Sequence, residues 1–178
     1  MCGLGIVRKE LTSLAKGAVF LLVLGAGSVS LRAEEPERGP VTNLPLPRFV
    51  SLKASEGNVR RGPSLTHRVD WVFKQEDMPL QITAEYGNWR RVRDMDGAGG
   101  WMHYSLLSGV RTVIVIKDFT PMRSKPDIGA DPDAYAEQGV IAFLEQCHPD
   151  WCRIRKDGHK GWVMKSELWG VTAAETRD

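Results

Sequence analysis

A tryptophan-containing sequence motif occurs twice in this chain. Residues 89–101 read Trp-Arg-Arg-Val-Arg-Asp-Met-Asp-Gly-Ala-Gly-Gly-Trp, and residues 151–162 read Trp-Cys-Arg-Ile-Arg-Lys-Asp-Gly-His-Lys-Gly-Trp. Both copies are followed, at matching offsets, by a serine and then a leucine: Ser105 and Leu107, and Ser166 and Leu168. An internal repeat of this kind indicates that the folded part of the chain consists of two copies of one small unit.

The residue pattern around each motif is that of short antiparallel strands. Residues 78–85 alternate with a period of two, which predicts a half-buried strand. The alternation places Leu80, Ile82 and Ala84 on the core side and Gln81, Thr83 and Glu85 on the solvent side. Residues 89–93 are predicted to return as the second strand of a hairpin, and the glycine-containing stretch 94–100 is predicted to be a turn.

The second copy follows the same plan, with predicted strands over 139–146, 151–156 and 159–164. A single helical turn is predicted in each copy, over 104–107 and 165–168, and a short strand after it, over 112–116 and 169–171. Five short strands with one helical turn before the last are typical of a small SH3-like barrel, whose closure removes exposed sheet edges. The sequence therefore predicts an all-β protein with two tandem SH3-like β-barrels, over 47–117 and 118–178.

The N-terminal residues have the composition of a secretory signal peptide. Basic residues precede an apolar run over 17–29, and small residues and then acidic residues follow it. The alternative is a membrane anchor, but 13 apolar residues fall short of the roughly 20 that a spanning helix needs. We therefore expect a signal peptide over 1–33, no membrane anchor after its cleavage, and a proline-rich and charged linker over 34–46. Export to the periplasm is the first expectation, and the extracellular space is the alternative.

The charge of the chain changes once the predicted signal peptide is removed. Lys+Arg falls from 24 to 20 and Asp+Glu from 22 to 21, so the formal net charge of +2 becomes about −1. The excess of basic over acidic residues is thus a property of the targeting segment. It gives no support to nucleic-acid binding.

The residues also carry a family resemblance. Asn58-Val-Arg-Arg-Gly-Pro-Ser64, Trp89–Arg93, and Gly100-Trp101 leading to Ser105-Leu-Leu-Ser-Gly109 resemble a bacterial SH3 domain. The second copy is similar but looser, with Pro121-Met-Arg-Ser-Lys-Pro126 at the corresponding start. The resemblance covers about residues 47–172 and is closest to exported proteins with two such domains behind a signal peptide. It implies a binding module of the bacterial envelope with no established reaction of its own.

The six tryptophans have two interpretations, as core residues or as ligand-binding residues. Large aromatic side chains supply much of the burial in small barrels, so packing is the default interpretation. Trp89 and Trp151 each precede a β-branched residue by three positions, which places them on the opposite strand face unless a bulge intervenes. We therefore predict Trp101 and Trp162 in the cores, and Trp89 and Trp151 on binding surfaces.

Two tyrosines, Tyr86 and Tyr104, are predicted to complete the binding surface of the first domain, whereas Lys165 stands at the position of Tyr104 in the second. Polyproline recognition requires an aromatic-lined groove, and no tyrosine-rich motif stands near the start of either repeat. We therefore expect a non-catalytic module that binds a cell-envelope peptide, glycan or protein partner. The alternative is a structural or assembly protein of the envelope without a small ligand. The sequence gives no indication of the oligomeric state.

Cys147 and Cys152 flank a four-residue turn in the second copy, where they can face each other across a hairpin. In an exported protein a disulfide is favoured over a zinc site, because two cysteines with four residues between them and scattered histidines lack the usual ligand spacing. The matching positions in the first copy are Glu85 and Arg90. No cofactor or metal site is predicted.

No catalytic residues are predicted either. Cys147 and His148 are neighbours in sequence, but neighbouring residues on a strand point to opposite faces. Arg91 and Arg93 share one face and could bind a carboxylate, although such charges more often form a solvated strand edge.

Overall fold

A computed structural model describes residues 37–178 as fourteen strands and two short 3-10 turns. The predicted signal peptide over 1–33 and the first residues of the predicted linker lie outside this range. Within residues 37–178, no helix is long and apolar enough to cross a membrane.

The strands form two seven-stranded antiparallel sheets, one for each copy of the repeat. The first barrel contains β1 (Arg48–Leu52), β2 (Gly57–Arg60), β3 (Val69–Phe73), β4 (Pro79–Tyr86), β5 (Trp89–Arg93), β6 (Gly99–His103), a 3-10 turn (Tyr104–Leu106) and β7 (Leu107–Ser108). The second contains β8 (Thr112–Val115), β9 (Thr120–Arg123), β10 (Pro132–Ala136), β11 (Ile141–Cys147), β12 (Trp151–Lys156), β13 (His159–Met164), a 3-10 turn (Lys165–Glu167) and β14 (Leu168–Trp169).

The two sheets have the same strand order, β3-β2-β6-β5-β4-β1-β7 in the first and β10-β9-β13-β12-β11-β8-β14 in the second. This match confirms the predicted all-β fold and the duplication. The predicted number of five strands per copy is too low. The strands β1 to β3 of the first copy, and β9 and β10 of the second, fall in stretches for which no strand range is predicted.

The strand over 112–116 was assigned by sequence to the end of the first copy, and this assignment is wrong. In the structure β8 pairs with β11 and β14, so that it belongs to the second sheet. The first sheet is completed earlier, because β7 pairs with β1 immediately after the 3-10 turn, with Leu107 opposite Leu52. The next strand is therefore free to begin the second copy.

The barrel cores consist mainly of aliphatic side chains, with Phe73 in the first, and contain none of the six tryptophans. The prediction that Trp101 and Trp162 fill the cores is therefore wrong, since both are only partly buried. Their neighbours Met102 and Val163 are the fully buried residues, each 0% exposed. Trp101 pairs with the exposed Arg91 across β5 and β6, which places it on the outer face of the sheet.

A bulge in β4 changes which residues face inward. The pairing between β4 and β5 shifts between Ile82 and Ala84, so the strand contributes one residue more than its partner. Glu85, predicted on the solvent side by simple alternation, is buried as a result, while Ala84 is only partly buried.

The segment predicted to be a linker over 34–46 is folded where it is described. Its backbone closes on itself through Gly39 N–H to Leu44 O and Leu46 N–H to Glu37 O, at 2.8 and 2.7 Å. Leu46 belongs to the core of the first barrel. A side chain at Gly39 would collide with the Glu85 carboxylate, so the segment packs closely against β4.

The two barrels contact each other directly. The hydroxyl of Thr112, itself buried, donates to the backbone oxygen of Asp77 at 2.7 Å. The rings of Phe49 and Trp169 meet edge to face with centroids 5.2 Å apart, and the Arg111 guanidinium lies 5.7 Å from the centroid of Phe49. The interface therefore combines a buried hydrogen bond with aromatic packing.

Candidate ligand-binding site

Aromatic side chains form a row on the outer face of the first barrel. Tyr86 pairs with Trp89 across β4 and β5, and Trp89 pairs with His103 across β5 and β6. The centroids of Trp89 and His103 are 5.5 Å apart, and those of His103 and Tyr104 are 4.9 Å apart. We call these four residues, Tyr86, Trp89, His103 and Tyr104, the aromatic surface.

The aromatic surface presents ring faces to solvent. Tyr86 is 65% exposed and Tyr104 is 51% exposed, whereas Trp89 is partly buried. The three residues predicted for the first domain are thus brought together. His103 was not predicted from the sequence. Its place opposite Trp89 follows from the register of the β5–β6 hairpin.

The ring of His103 is held in place by its neighbours. Its Nδ1 lies 2.7 Å from the Ser105 hydroxyl oxygen, and it accepts from the Ser105 backbone N–H at 3.4 Å. The backbone N–H of Tyr104 donates to Asn88 O at 2.9 Å, which ties the 3-10 turn to the β4–β5 hairpin. The aromatic surface is therefore built on two connected hairpins and is rigid enough to be preformed.

Trp151 occupies the corresponding position in the second barrel, but its surroundings differ. It pairs with Met164, not with a histidine. Lys165, which matches Tyr104, is buried and donates through Nζ to the backbone oxygens of Ala173 and Glu175 at 3.0 and 2.6 Å. The predicted residue Trp151 therefore does not join the aromatic surface, and it stands in a different setting.

The C-terminal segment over 172–178 lies against this part of the second barrel. Arg177 forms an antiparallel bridge with Cys147 through N–H···O bonds of 2.7 and 3.0 Å. The Glu175 carboxylate accepts from Arg111 at 2.6 and 3.1 Å. The second barrel thus holds a turn-containing segment of its own chain beside Lys165.

Next to Tyr86 in β4, the carboxylate of Glu85 is buried with its hydrogen-bond donors. It accepts from Arg48 at 2.6 Å, from the Thr42 hydroxyl and N–H at 2.7 and 2.9 Å, and from the Val41 N–H at 3.1 Å. Arg90 Nε lies 3.6 Å away. Burial by itself raises the pKa of Glu85, but the hydrogen bonds from Thr42, Arg48 and Val41 outweigh it and lower this pKa from 4.5 to about 2.

The predicted disulfide between Cys147 and Cys152 is confirmed. The two residues are Cα partners across β11 and β12, just as Glu85 and Arg90 are across β4 and β5. The same position is therefore closed by a covalent bond in one barrel and by a buried ion pair in the other. Among the described residues, no group of three or more His, Cys, Asp or Glu side chains could hold a metal ion.

Comparison with known proteins assigns the repeated unit to a family. A search of curated proteins found no match. Among solved structures, NlpC2 from Trichomonas vaginalis is similar with a TM-score of 0.33 and 14% identity, over 69% of this chain and 48% of that one. NlpC1 from the same organism gives 0.33 and 14%, over 68% and 45%, so this chain spans about half the length of either.

The family model described as bacterial SH3 domain matches twice, over 53–109 and 117–170. Each match falls on one of the two seven-stranded sheets, and together they cover more than half of the chain. The chain therefore belongs to the bacterial SH3 domain family and carries two copies of the domain in tandem.

Proposed function

We propose that this protein is a non-catalytic binding module of the bacterial cell envelope, in which the aromatic surface of the first barrel binds an extended peptide of a cell-wall component or an envelope protein. Export to the periplasm, through a signal peptide over 1–33, is part of this proposal. So is the absence of an enzymatic reaction and of a cofactor.

The observation that carries the proposal is the occupant of the second barrel. There, residues 172–178, which include a turn closed by Glu175 N–H to Thr172 O at 3.1 Å, lie beside Lys165, whose Nζ donates to two of their backbone oxygens. The corresponding position in the first barrel is Tyr104, which is half exposed. The position of Tyr104 is thus half exposed in the first copy, whereas in the second copy the matching Lys165 is covered by residues of its own chain.

The chemistry of the aromatic surface fits a peptide ligand. Tyrosine and tryptophan rings supply a large contact area at low cost in side-chain entropy, and their polar atoms can bond to backbone groups. Tyr86, Trp89 and His103 stand on paired strands, and the backbone of Tyr104 is bonded to the β4–β5 hairpin, so little backbone ordering is needed on binding.

Replacing Trp89 and Tyr104 with alanine is expected to abolish retention of the protein on insoluble peptidoglycan. Loss of an aromatic anchor at a binding site costs about 2 kcal/mol or more, which corresponds to at least a thirtyfold loss of affinity for each of the two substitutions. The measurement is co-sedimentation of the purified full chain, with circular dichroism to show that the variants are folded.

The matched control is Trp151→Ala, because this residue occupies the same strand position in the second barrel. We expect it to be retained like the unaltered protein. Equal retention of all variants, or stronger loss with Trp151→Ala, would contradict the proposed site.

The contact between the barrels favours a second candidate function. A buried Thr112–Asp77 hydrogen bond and the Phe49–Trp169 ring pair join them into one unit, as expected of a rigid spacer or assembly component of the envelope. Such a protein would need no ligand at the aromatic surface. The W89A/Y104A variant distinguishes the two, because a spacer keeps its function with this surface removed.

A further inference from the structure

The outer face of the first barrel continues beyond the aromatic surface as a cationic strip. Along β5, Arg91 and Arg93 follow Trp89 on the same face. Their partners on β6 are Trp101 and Gly99, respectively. An open cleft of about 420 Å³ lies here, and its lining includes both arginines but no carboxylate among the described residues.

The two arginines of this cleft differ in what binds them. Arg93 Nε donates to the Gln81 side-chain oxygen at 2.6 Å, which leaves its remaining guanidinium N–H groups available. Arg91 is exposed and, within residues 37–178, its guanidinium has no hydrogen-bond or ion-pair partner. Two positive charges therefore face one cleft without a counter-charge in its lining.

The floor of the cleft is kept bare by glycine. A Cβ at Gly99 would collide with the backbone oxygen of Val92, and one at Gly100 would lie 2.5 Å from the backbone oxygen of Arg60. Side chains at these positions would therefore force the strands apart. Glycine at both positions therefore lets the backbones approach closely, and both residues line the cleft.

The second barrel shows the same face with its positive charge partly neutralised. Arg153 and Arg155 match Arg91 and Arg93, and Glu145 lies between them with ion-pair distances of 3.5 and 2.9 Å. The residue at the position of Glu145 in the first barrel is Thr83, a neutral side chain that donates to Arg91 O at 3.3 Å. The protein's own second copy thus places a carboxylate where the first copy leaves an open site.

We propose that the cleft of Arg91 and Arg93 is a binding site for a carboxylate group of a ligand, held as Glu145 is held between Arg153 and Arg155. Planar guanidinium groups match a carboxylate with paired hydrogen bonds. Phosphate sites usually add free backbone N–H groups, but β5 is paired on both sides and its N–H groups are used in the sheet. The site is separate from the aromatic surface and does not depend on what that surface binds.

The test is an NMR titration of the purified full chain with N-acetylglutamate, following the amide signals of Gly99 and Gly100. Saturable shifts are expected with a dissociation constant on the order of 10 mM, as for two exposed charge-assisted pairs. Thr83→Glu is expected to weaken binding roughly tenfold, because it supplies the internal carboxylate that the second barrel has.

Three controls decide the outcome. Thr83→Gln introduces a side chain of the same size as glutamate but without charge, and it is expected to bind like the unaltered protein. Tyr104→Ala, which leaves the cleft intact, is expected to do the same. N-acetylglutamine is expected to cause no shift, and inorganic phosphate to bind more weakly than N-acetylglutamate. Equal weakening by Thr83→Glu and Thr83→Gln, equal shifts with N-acetylglutamine, or tighter binding of phosphate would overturn the proposal.

Discussion

Replacing Glu85 with glutamine is expected to lower the free energy of unfolding by about 3–5 kcal/mol, the usual cost of removing one partner from a buried ion pair. Arg48 and Arg90 would lose their counter-charge. The cost is large because the Glu85 side chain that faces them is fully buried. The amide would also direct an N–H₂ group at the donors of Val41 and Thr42. Urea denaturation followed by tryptophan fluorescence measures the effect.

The same carboxylate makes stability depend on pH in the acid range. Its pKa is lowered from 4.5 to about 2 on folding, so its contribution is complete above about pH 4.5 and is lost as the pH falls towards 2. The shift corresponds to about 3 kcal/mol. The unaltered protein is therefore expected to lose about this much stability between pH 5 and pH 2, and Glu85→Gln is expected to lack this loss.

The matched control for Glu85 is Glu145→Gln in the second barrel. Glu145 also lies between two arginines, but its side chain is 31% exposed and its ion pairs are solvated. We expect it to change stability by about 1 kcal/mol or less. Equal effects of the two substitutions would show that burial of Glu85 does not govern its contribution.

Removing the disulfide by the double substitution Cys147→Ala and Cys152→Ala is expected to lower the free energy of unfolding by about 2 kcal/mol. The closed loop is short, with a sequence separation of 5, so the loss of chain entropy in the unfolded state is modest. Both cysteines also belong to the core of the second barrel, and the removed sulfurs leave a small cavity there. Differential scanning calorimetry measures the change.

Reduction with dithiothreitol provides the control for the disulfide, because it breaks the bond without removing the sulfur atoms. Reduced protein is expected to be more stable than the double alanine variant and less stable than the oxidised protein. An unchanged melting temperature after complete reduction would contradict the predicted contribution. Retention on peptidoglycan is expected to stay unchanged in both, because the aromatic surface is in the other barrel.

Sequence reasoning predicted the strands whose ends are marked by turn residues. The bounds of β5, β12 and β13 match the predicted ranges, since glycine, proline or aspartate stand beside each of them. The buried position of Glu85 was not predicted, because a single bulge in β4 reverses the alternation without changing its composition. A bulge depends on how a strand pairs with its neighbour, and the local sequence pattern of one strand does not contain this information.

The positions of the residues in the candidate site were predicted where they depend on local sequence, and not where they depend on distant contacts. Tyr86, Trp89 and Tyr104 share one surface as expected, because they are close to one hairpin and the turn beside it. The packing of residues 38–46 and 172–178 on the barrels depends on contacts over long sequence separations, such as Thr42 with Glu85. A charged, proline-rich composition predicts a linker wherever no such distant partner is known.

The connection between the barrels has a mechanical consequence. Only residues 109–111 separate β7 from β8, and the Arg111 guanidinium donates to Gly170 O and to Glu175 in the second barrel while lying beside Phe49 in the first. The two domains should therefore tumble in solution as a single body with one rotational correlation time. A force applied to the first barrel would therefore be transmitted directly to the second, which suits the rigid spacer proposed above as the second candidate function.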